Sequence, residues 1–465
     1  MGKDLNNSKP ETSLQFIDQL QALIETIGNN GSVQCILCNV HILQYTVLAV
    51  ALAYLYWKLF HQPYDLFMDF TELGFEDVDN PENIRNNTSR RNAINEMRRR
   101  KKNRKLPPAY PNGWYAVLES KVLKVGQARE MYALGNNFVV WRGSSGCAYV
   151  ADAYCPHIGA HLGVGGEVRG ECIQCPFHSW AFDGKSDGKL VSIPYSDKLP
   201  EFVKIKMWKT FETDGFIFIW NHAESLDPTW HPDEIPEINL NTWSYRGRSE
   251  MRVACHIQEI PENGADPAHL NVLHSDLVLC GDNPKESFFS WNFIKHVWKA
   301  NWTPNTDDPN RRHEAIVKVN HHIMLFGWLP CLKINVDIHQ TGPGIVALHF
   351  NTFLGKAVFI QTVTPIEPLL QRVVHHFYSS SWIIHPLAKL IIDGEAKQIA
   401  RDIRIWNRKS YMHKPNLTKE DQTIKQFRRW FSQFYSEPKN SNLVELTSEP
   451  NYFCTNDSNA NKLTF

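Results

Sequence analysis

Two short segments that each pair one cysteine with one histidine constrain most strongly what this chain can fold into. The first is Cys155-Pro156-His157 and the second is Cys175-Pro176-Phe177-His178, with seventeen residues between them. Two cysteines and two histidines can hold a zinc ion, but zinc modules usually pair cysteine with cysteine and histidine with histidine. One ligand of each kind in each loop suits a two-iron cluster in which two histidines replace two cysteines on one iron. The pattern therefore favours an iron–sulfur electron relay over zinc.

The residues around these ligands have the composition of tight loops. A proline follows each cysteine, and glycines stand at 163, 165 and 166. The segments 155–163 and 175–180 resemble the two ligand loops of the Rieske family. That resemblance implies a [2Fe-2S] Rieske cluster bound by Cys155, His157, Cys175 and His178. It assigns no ligand role to Cys172, although Cys172 stands three residues before Cys175.

Composition indicates a globular protein in a reducing compartment. The 465 residues suffice for two ordinary domains with appended segments. The formal net charge is zero, which argues against nucleic acid as the main partner. The ten cysteines do not have the spacing of a disulfide framework.

An apolar segment near the N-terminus predicts a membrane anchor. Residues 1–32 are polar and contain no arginine, whereas 33–60 are apolar over a length that can span a bilayer. Tyr54, Tyr56 and Trp57 stand at its C-terminal end, where interfacial aromatic residues belong. A signal peptide cleaved near residue 53 would need a basic region before the apolar run, and a buried core helix would need a core around it. We expect a single transmembrane helix.

The segment 61–106 is predicted to be a basic linker. Its arginines and lysines cluster at 90–91, 98–102 and 104–105. Positive charge beside a transmembrane helix marks the cytosolic side and can contact anionic lipid headgroups. We therefore expect a single-pass membrane protein of the endoplasmic reticulum whose catalytic part faces the cytosol.

Two domains and a tail are predicted after the linker. Short β-rich runs separated by turns predict an antiparallel β domain over 107–230. Its expected strands contain Val117, Val122, 138–141, 148–150 and 216–220. The segment 231–415 mixes strands at 345–350 and 357–363 with helical stretches around 264–275 and 385–410, which predicts an α+β domain. The tail 416–465 is expected to be partly disordered, because it is rich in asparagine and serine after about residue 438.

A second group of possible metal ligands follows an Asp-Pro pair in the second domain. Asp266 before Pro267 predicts a helix N-cap, which places His269 in the first turn. His269 and His274 are five residues apart, so an ideal helix would splay them and the helix must be distorted. Two histidines on a helix are usually packed or solvated. Beside an electron relay, however, two histidines and one carboxylate would form the iron site of an oxygenase.

The carboxylate of that iron site is not determined by spacing alone. Asp402 borders the apolar face of a predicted helix, but Asp393 and Glu395 are on the same helix. Here the resemblance to Rieske oxygenases decides, because Glu262, Asp266, His269 and His274 follow their pattern. It implies that His269, His274 and Asp402 bind a mononuclear non-haem Fe(II). It also implies that Asp266 is a catalytic residue linking the two metal centres.

The resemblance covers about residues 107–415 and implies both a fold and a reaction. The fold is an antiparallel β Rieske domain followed by a helix-grip-like α+β catalytic domain. The single N-terminal anchor, the basic linker, the segment 107–114 and the pairing of the two centres resemble the Neverland group of animal cholesterol 7-desaturases. That resemblance implies O₂-dependent 7,8-dehydrogenation of cholesterol to 7-dehydrocholesterol in ecdysteroid-type hormone synthesis. No dinucleotide-binding fingerprint occurs, so NAD(P)H would act through a separate reductase or ferredoxin. The family also implies head-to-tail homotrimers.

Four alternatives are weaker. A Rieske steroid hydroxylase, or another Rieske monooxygenase acting on a hydrophobic substrate, shares both metal motifs. A plant-type chlorophyll-breakdown oxygenase should have hydrophobic anchors near its C-terminus. Fatty-acyl desaturases need several spanning segments and histidine boxes, so His321-His322 and His375-His376 are interpreted as structural. A membrane-tethered Rieske electron carrier would not need the group from Glu262 to His274.

Overall fold

A computed structural model gives the fold of the chain. It describes residues 18–19, 21–22, 31–79, 90–102, 106–276, 294–352 and 355–436. The described elements form a long apolar helix, three small antiparallel sheets and one eight-stranded sheet with helices on its inner face. The predicted α+β class is confirmed.

The strands divide between the small sheets and the large one. In chain order they are β1 (Tyr64–Met68), β2 (Gly113–Glu119), β3 (Ala128–Ala133), β4 (Asn136–Arg142), β5 (Ala148–Asp152), β6 (Glu167–Arg169), β7 (Cys172–Gln174), β8 (Ala181–Asp183), β9 (Lys189–Ser192), β10 (Thr210–Thr213), β11 (Phe216–Asn221), β12 (Ser244–Val253), β13 (Ile294–Pro304), β14 (Glu314–Leu325), β15 (Leu329–Thr341), β16 (Ile345–Thr352), β17 (Gly355–Glu367) and β18 (Leu370–Ser379).

The helices mostly lie in the second half of the chain. They are α1 (Gly31–Phe60), α2 (Arg90–Lys102), α3 (Pro236–Asn239), α4 (Glu259–Glu262), α5 (Pro267–Leu273), α6 (His385–Trp406) and α7 (Gln422–Phe431). Within α1, the segment Leu43–Phe60 has a mean hydropathy of 1.3 and is long and apolar enough to cross a membrane.

Strands β2 to β11 build the three small sheets. Their orders are β10-β11-β2, β3-β4-β5 and β6-β7-β8-β9. The predicted strand residues fall in β2, β4, β5 and β11, except that Val122 lies in a 3₁₀ turn over Ser120–Val122. The cluster loops follow β5 and β7.

The large sheet packs against the small sheets on one face and against α6 on the other. Its order is β1-β12-β18-β17-β16-β15-β14-β13, with all neighbours antiparallel except β1 and β12. Its outer face, which includes Ile360, shares a buried cluster with Phe216 of β11. Its inner face, which includes Phe359 and Phe377, shares another with Ile392 of α6. Side chains that alternate along each strand explain these two covered faces.

The segment predicted as a basic linker is instead partly folded against the second domain. Strand β1 joins the large sheet, and Ile94 of α2 is fully buried. Lys101 Nζ donates hydrogen bonds to the carbonyls of Trp406 at 3.3 Å and Asn407 at 2.6 Å. The prediction of a linker was wrong because it followed the charges and overlooked Ile94 and Met97 at helical spacing. Residues 103–105 lie outside the described part.

The predicted tail also contains folded structure. Helix α7 buries Phe427 and Phe431 in a cluster with Trp302 of β13. Arg428 donates two hydrogen bonds to the Glu262 carboxylate, at 2.7 and 2.9 Å. The start of the tail at residue 416 was therefore wrong, while residues 437–465, where disorder was predicted, lie outside the described part. The domain boundaries near residues 106 and 230 stay predictions.

A buried ionic group joins the small sheet to the large one. Glu119 of β2 is 2% exposed and accepts a hydrogen bond from His376 Nε2 at 2.9 Å. It also pairs with Arg248 and with Arg372. Burial alone would raise the pKa of Glu119, but the hydrogen bond from His376 and the nearby arginines lower it to about 2. His376 is therefore a buried structural group.

Two buried histidines predict loss of stability in mild acid. Burial lowers the pKa of His256 to about 4 and that of His375 to about 3, against about 6.5 in an unfolded chain. Below about pH 6.5 the unfolded chain binds protons that the folded chain does not, so the free energy of unfolding falls with pH. Each histidine should contribute a loss of about 2 kcal/mol between about pH 7 and about pH 5.

Denaturant titrations at the two pH values measure this loss. Carboxylates such as Glu119, whose pKa is depressed, lose their stabilising effect only below about pH 4.5, outside this window. The His256→Asn variant should show about 2 kcal/mol less dependence on pH than the unmodified chain. Equal dependence in the two proteins would contradict the assignment.

Candidate metal centres

The two cluster loops have the same backbone hydrogen bonds. In each loop the cysteine amide donates to the carbonyl five residues later, and the amide four residues later donates to the cysteine carbonyl, at 2.8–3.1 Å. The residues at that fourth position, Gly159 and Ser179, have φ values of 83° and 57°. This left-handed conformation turns each loop tightly around its cysteine. Cys155 and Cys175 are thereby held in equivalent positions.

The four predicted cluster ligands converge at the ends of these loops. The Cys155 and Cys175 side chains are neighbours and are buried. The rings of His157 and His178 have their centroids 4.8 Å apart. His178 Nδ1 is buried and has no hydrogen-bond partner among the described residues. A buried nitrogen of this kind is costly unless it has a ligand, so the donor set fits a bound metal group.

The spacing of the donors fits a two-iron cluster better than one zinc ion. Three ligand atoms that could share one metal ion should lie close together. Within the described ranges, ligand atoms of three or more His, Cys, Asp or Glu residues lie within 4.8 Å of one another at His269, His274 and Asp402. The cluster residues do not form so compact a group, which a single tetrahedral zinc would require. Burial and the neighbouring Cys175 raise the pKa of the Cys155 thiol to about 11, so a thiolate there needs a cation.

Serine substitutions test the cluster ligands. Cys155→Ser or Cys175→Ser should abolish the Rieske absorption and EPR signals, because a hydroxyl group does not replace a cluster thiolate. Cys172→Ser is the matched control and should keep both signals, since Cys172 begins β7 and is not in the loop. Loss of the signals in the Cys172 variant alone would overturn the assignment.

The histidine edge of the cluster loops faces outward. His157 is exposed and stacks on Trp180, with ring centroids 4.4 Å apart. Ile158, Phe177 and Tyr195 beside it are 58–64% exposed. This apolar rim gives a partner protein direct access to the imidazoles.

The second group of ligands is placed by a short capped helix. The Asp266 side chain accepts hydrogen bonds from the amides of Ala268 and His269, at 3.2 and 3.3 Å. Asp266 is thus the N-cap of α5, as its position before Pro267 predicts. The helix ends at Leu273, and His274 is its C-cap with a ψ of 15°. Because His274 lies beyond the last helical residue, its side chain can turn toward His269 although the two histidines are five residues apart.

Helix α6 supplies the carboxylate. The ligand atoms of His269, His274 and Asp402 lie within 4.8 Å of one another. His274 Nε2 and Asp402 Oδ1 are 3.2 Å apart. Asp393 is instead engaged by Tyr64 and Lys397, and Glu395 is not part of the group. Two imidazoles and one carboxylate on one side leave room for other ligands, as a non-haem Fe(II) site requires.

Hydrogen bonds orient both imidazoles. His269 Nδ1 bonds the Asp266 carbonyl oxygen, and His274 Nδ1 bonds Gln398 Oε1 at 2.8 Å. With each Nδ1 atom engaged, Nε2 is the nitrogen that can bind a metal, and that of His274 faces the ligand oxygen of Asp402. Burial opposes a charge on His274, but its hydrogen bond to Asp402 and the charge of that carboxylate raise the pKa of His274.

Three supporting residues were not predicted from the sequence. Gln398 orients His274, Arg401 donates to Gln398 Oε1 at 3.3 Å, and Trp298 Nε1 donates to the His274 carbonyl at 3.0 Å. Gln398 could have been found, because it stands one turn before Asp402 on the same helix. Trp298 gives no such signal, since only strand pairing brings it to the site.

Comparison with known families agrees with both centres. The Rieske [2Fe-2S] domain profile matches residues 113–203. The 3-ketosteroid 9alpha-hydroxylase C-terminal domain profile matches residues 219–435, a range that includes α7. Dicamba monooxygenase, solved with 3,6-dichlorosalicylic acid, has a similar fold, with a TM-score of 0.53 at 15% identity over 70% of this chain and 98% of that chain.

Proteins of known sequence give a closer relationship. The cholesterol 7-desaturase of Xenopus laevis is 46% identical over 82% of this chain and 82% of its own length. That of Drosophila melanogaster is 43% identical over 84% of this chain and 90% of its own length. The chain belongs to the cholesterol 7-desaturase family of Rieske oxygenases.

Proposed function

We propose that this chain is a cholesterol 7-desaturase, which removes one hydrogen each from C7 and C8 of cholesterol to give 7-dehydrocholesterol. The observation that carries the proposal is identity of 46% and 43%, over more than four fifths of the chain, to proteins named for that activity. Cholesterol, O₂, NAD(P)H and a proton would give 7-dehydrocholesterol, NAD(P)⁺ and two molecules of water. The product would serve steroid hormone synthesis of the ecdysteroid type.

The residues of the two centres would hold different metal groups. Cys155, Cys175, His157 and His178 would hold the [2Fe-2S] cluster, and His269, His274 and Asp402 would hold Fe(II). When bound, the cluster supplies single electrons and the iron supplies O₂ activation. The chain's own contribution is to fix the imidazoles through the Asp266 carbonyl and Gln398. Because Gln398 is held by Arg401, the orientation of His274 does not depend on the substrate.

Electrons would come from a separate protein. A reductase or ferredoxin would carry the electrons from NAD(P)H to the cluster held by the two loops.

The exposed rim formed by Ile158, Phe177 and Tyr195 would meet a second copy of the chain. Apolar and aromatic residues at the centre of a contact are typical of protein interfaces. Among the described residues, no hydrogen bond or ring contact joins the cluster loops to α5. One oxygen of Asp266 caps α5, the other lies 3.8 Å from His269 Nδ1, and the side chain is 32% exposed. In a head-to-tail homotrimer, Asp266 would accept a hydrogen bond from His157 or His178 of the adjacent subunit and thereby link the centres.

The segment Leu43–Phe60 would anchor the enzyme in the endoplasmic reticulum membrane. None of its residues is buried by the rest of the chain. The basic residues of α2 follow it, which favours a cytosolic catalytic part and a lumenal N-terminus.

Protease protection tests this orientation. In sealed microsomes, protease added outside should digest the chain beyond residue 60, because positive charge beside a spanning helix stays in the cytosol. A lumenal marker protein should survive as the control. A cluster domain protected until detergent is added would contradict the orientation.

A Rieske steroid hydroxylase is the second candidate, favoured by the 3-ketosteroid 9alpha-hydroxylase domain match. Desaturation and hydroxylation both begin with hydrogen removal and differ in whether a second hydrogen or an oxygen atom is then transferred. An electron carrier without a reaction of its own is disfavoured by the group His269, His274 and Asp402. Iron analysis separates these classes, because a carrier would hold two irons per chain and an oxygenase three.

Incubation of the purified chain with cholesterol, O₂ and a reducing system tests the proposal. The expected product is 7-dehydrocholesterol, absent when O₂ is removed. Asp402→Ala should lose the mononuclear iron and the product while keeping the cluster signals. Exclusive formation of a hydroxylated sterol would favour the second candidate.

A further inference from the structure

A line of three hydrogen-bonded polar side chains crosses the inner face of the large sheet. Ser249 of β12 stands opposite His375 of β18, and His375 stands opposite Gln361 of β17. Ser249 Oγ lies 3.2 Å from His375 Nδ1, and His375 Nε2 lies 2.9 Å from Gln361 Oε1. The line is separate from the two metal centres.

The line faces α6 rather than the small sheets. Phe359 and Phe377 stand two residues from Gln361 and His375, so they share the same face of their strands. Both phenylalanines cluster with Ile392 of α6. Gln361 therefore projects into the space between the sheet and α6.

The side chains that line this space are apolar. Leu348, Phe350, Leu387 and Ile391 line it and are only partly buried. Ser249 and His375 are at most 1% exposed, whereas Gln361 keeps an intermediate exposure. The line therefore runs from fully buried groups to one amide that a ligand can reach.

The hydrogen bonds fix which atoms that amide presents. Burial lowers the pKa of His375 to about 3, so the ring is neutral and carries one proton. Ser249 has no other acceptor among the described residues, so its hydroxyl donates to Nδ1 and the ring proton lies on Nε2. The Nε2–H group then donates to Gln361 Oε1. The amide NH₂ of Gln361 is left, without an acceptor in the described part of the chain.

We infer that Gln361 binds the hydroxyl oxygen of the sterol, with Ser249 and His375 as the residues that position its amide. The inference rests on the proposed sterol desaturation and names the group that recognises its substrate. Cholesterol carries a single oxygen on an apolar ring system, and the site offers a fixed donor on an apolar wall. A buried hydroxyl without a partner would oppose binding.

The position of Gln361 along α6 suits this role. Residues of β17 are paired with residues of β18, and the pairs on the inner face lie over α6. The pair of Phe359 and Phe377 packs with Ile392. The pair of Val363 and Val373 belongs to the buried cluster that contains Ala396. The pair of Gln361 and His375 lies between these two pairs, and therefore over the part of α6 between Ile392 and Ala396. That part of the helix is about eight residues, or about 12 Å, from Asp402. The hydroxyl oxygen and the reacting carbons of a sterol are about 6 Å apart, so the hydrogen bond from Gln361 and the reach of the iron ligands would span the remainder.

Competition binding tests the inference without turnover. Radiolabelled cholesterol is bound to the full-length chain in detergent, and displaced by unlabelled cholesterol or by the analogue that lacks the hydroxyl group. The unmodified chain should prefer cholesterol by about 10- to 100-fold, the loss expected for an unpaired buried polar group. In Gln361→Leu the preference should fall below about threefold, with KM for cholesterol raised about tenfold and kcat little changed.

Two further variants separate this role from a structural one. Ser249→Ala keeps Gln361 but releases the ring of His375, so the preference should fall by a smaller factor. Glu395→Gln alters another partly buried polar side chain on the facing helix and should keep the preference. The Rieske signals serve as the control for folding in each case.

The outcomes distinguish this inference from the proposed reaction. An unchanged preference in Gln361→Leu, or its loss in Glu395→Gln alone, overturns the inference even if cholesterol is desaturated. A preference that Gln361→Leu abolishes supports it even if the product is not 7-dehydrocholesterol. Failure of the unmodified chain to bind cholesterol overturns both.

Discussion

Replacing Asp266 by asparagine is expected to lower sterol turnover by about two orders of magnitude or more. Asparagine caps a helix about as well as aspartate, so the bonds from the amides of Ala268 and His269 should persist. The substitution removes the negative charge beside His269. In the proposed trimer, this charge also faces the neighbouring subunit. A 100-fold loss corresponds to about 3 kcal/mol in the barrier, a reasonable effect for a group that couples two centres.

Single-turnover measurement separates coupling from capping. Enzyme with a reduced cluster is mixed with sterol and O₂, and oxidation of the cluster is followed. The cluster of Asp266→Asn should stay reduced while its iron content is normal. Asp308→Asn is the matched control, because Asp308 is also an N-cap before a proline and lies outside the site. Normal cluster oxidation in Asp266→Asn would make Asp266 a helix cap only.

Ending the chain after residue 415 is expected to prevent folding of the catalytic domain. The deletion removes Phe427, Trp430, Phe431 and Phe434, each at most 8% exposed. Loss of a buried aromatic side chain costs about 3–5 kcal/mol, so the four exceed about 12 kcal/mol, near the whole stability of a typical domain. The deletion also leaves Glu262 without Arg428.

A chain that ends after residue 436 is the matched control. It keeps all described residues and should unfold at the same denaturant concentration as the full chain. The shorter chain should lose the mononuclear iron, and its second domain should be digested rapidly by protease. Equal stability of the two truncated chains would show that α7 does not support the domain.

The sequence predicted those parts of the protein in which the spacing of neighbouring residues indicates a metal site or a helix start. Two Cys-His pairs and an Asp-Pro-x-His helix start are local patterns, so the cluster loops and α5 could be identified without a fold. The choice of Asp402 over Asp393 depended on a family resemblance, and the fold explains it because Asp393 is paired with Lys397.

Other parts depend on contacts between distant residues. Gln361, His375 and Ser249 are brought together only by strand register, which no local pattern determines. Helix α2 was assigned to a linker because its charges outnumber its apolar residues, and α7 was included in the tail because of the polar composition of the residues that follow it. In both helices a few buried residues, such as Ile94 and Phe427, fix the packing.

Incubation with cholesterol under isotopically labelled O₂ tests the central claim most directly. Desaturation predicts that the sterol product is 7-dehydrocholesterol without label and that the labelled oxygen is recovered in water. The product should be absent for His269→Ala and for Cys155→Ser, since each lacks one of the two centres. A labelled hydroxyl group at C7 as the sole product, formed by the unmodified enzyme, would contradict the account.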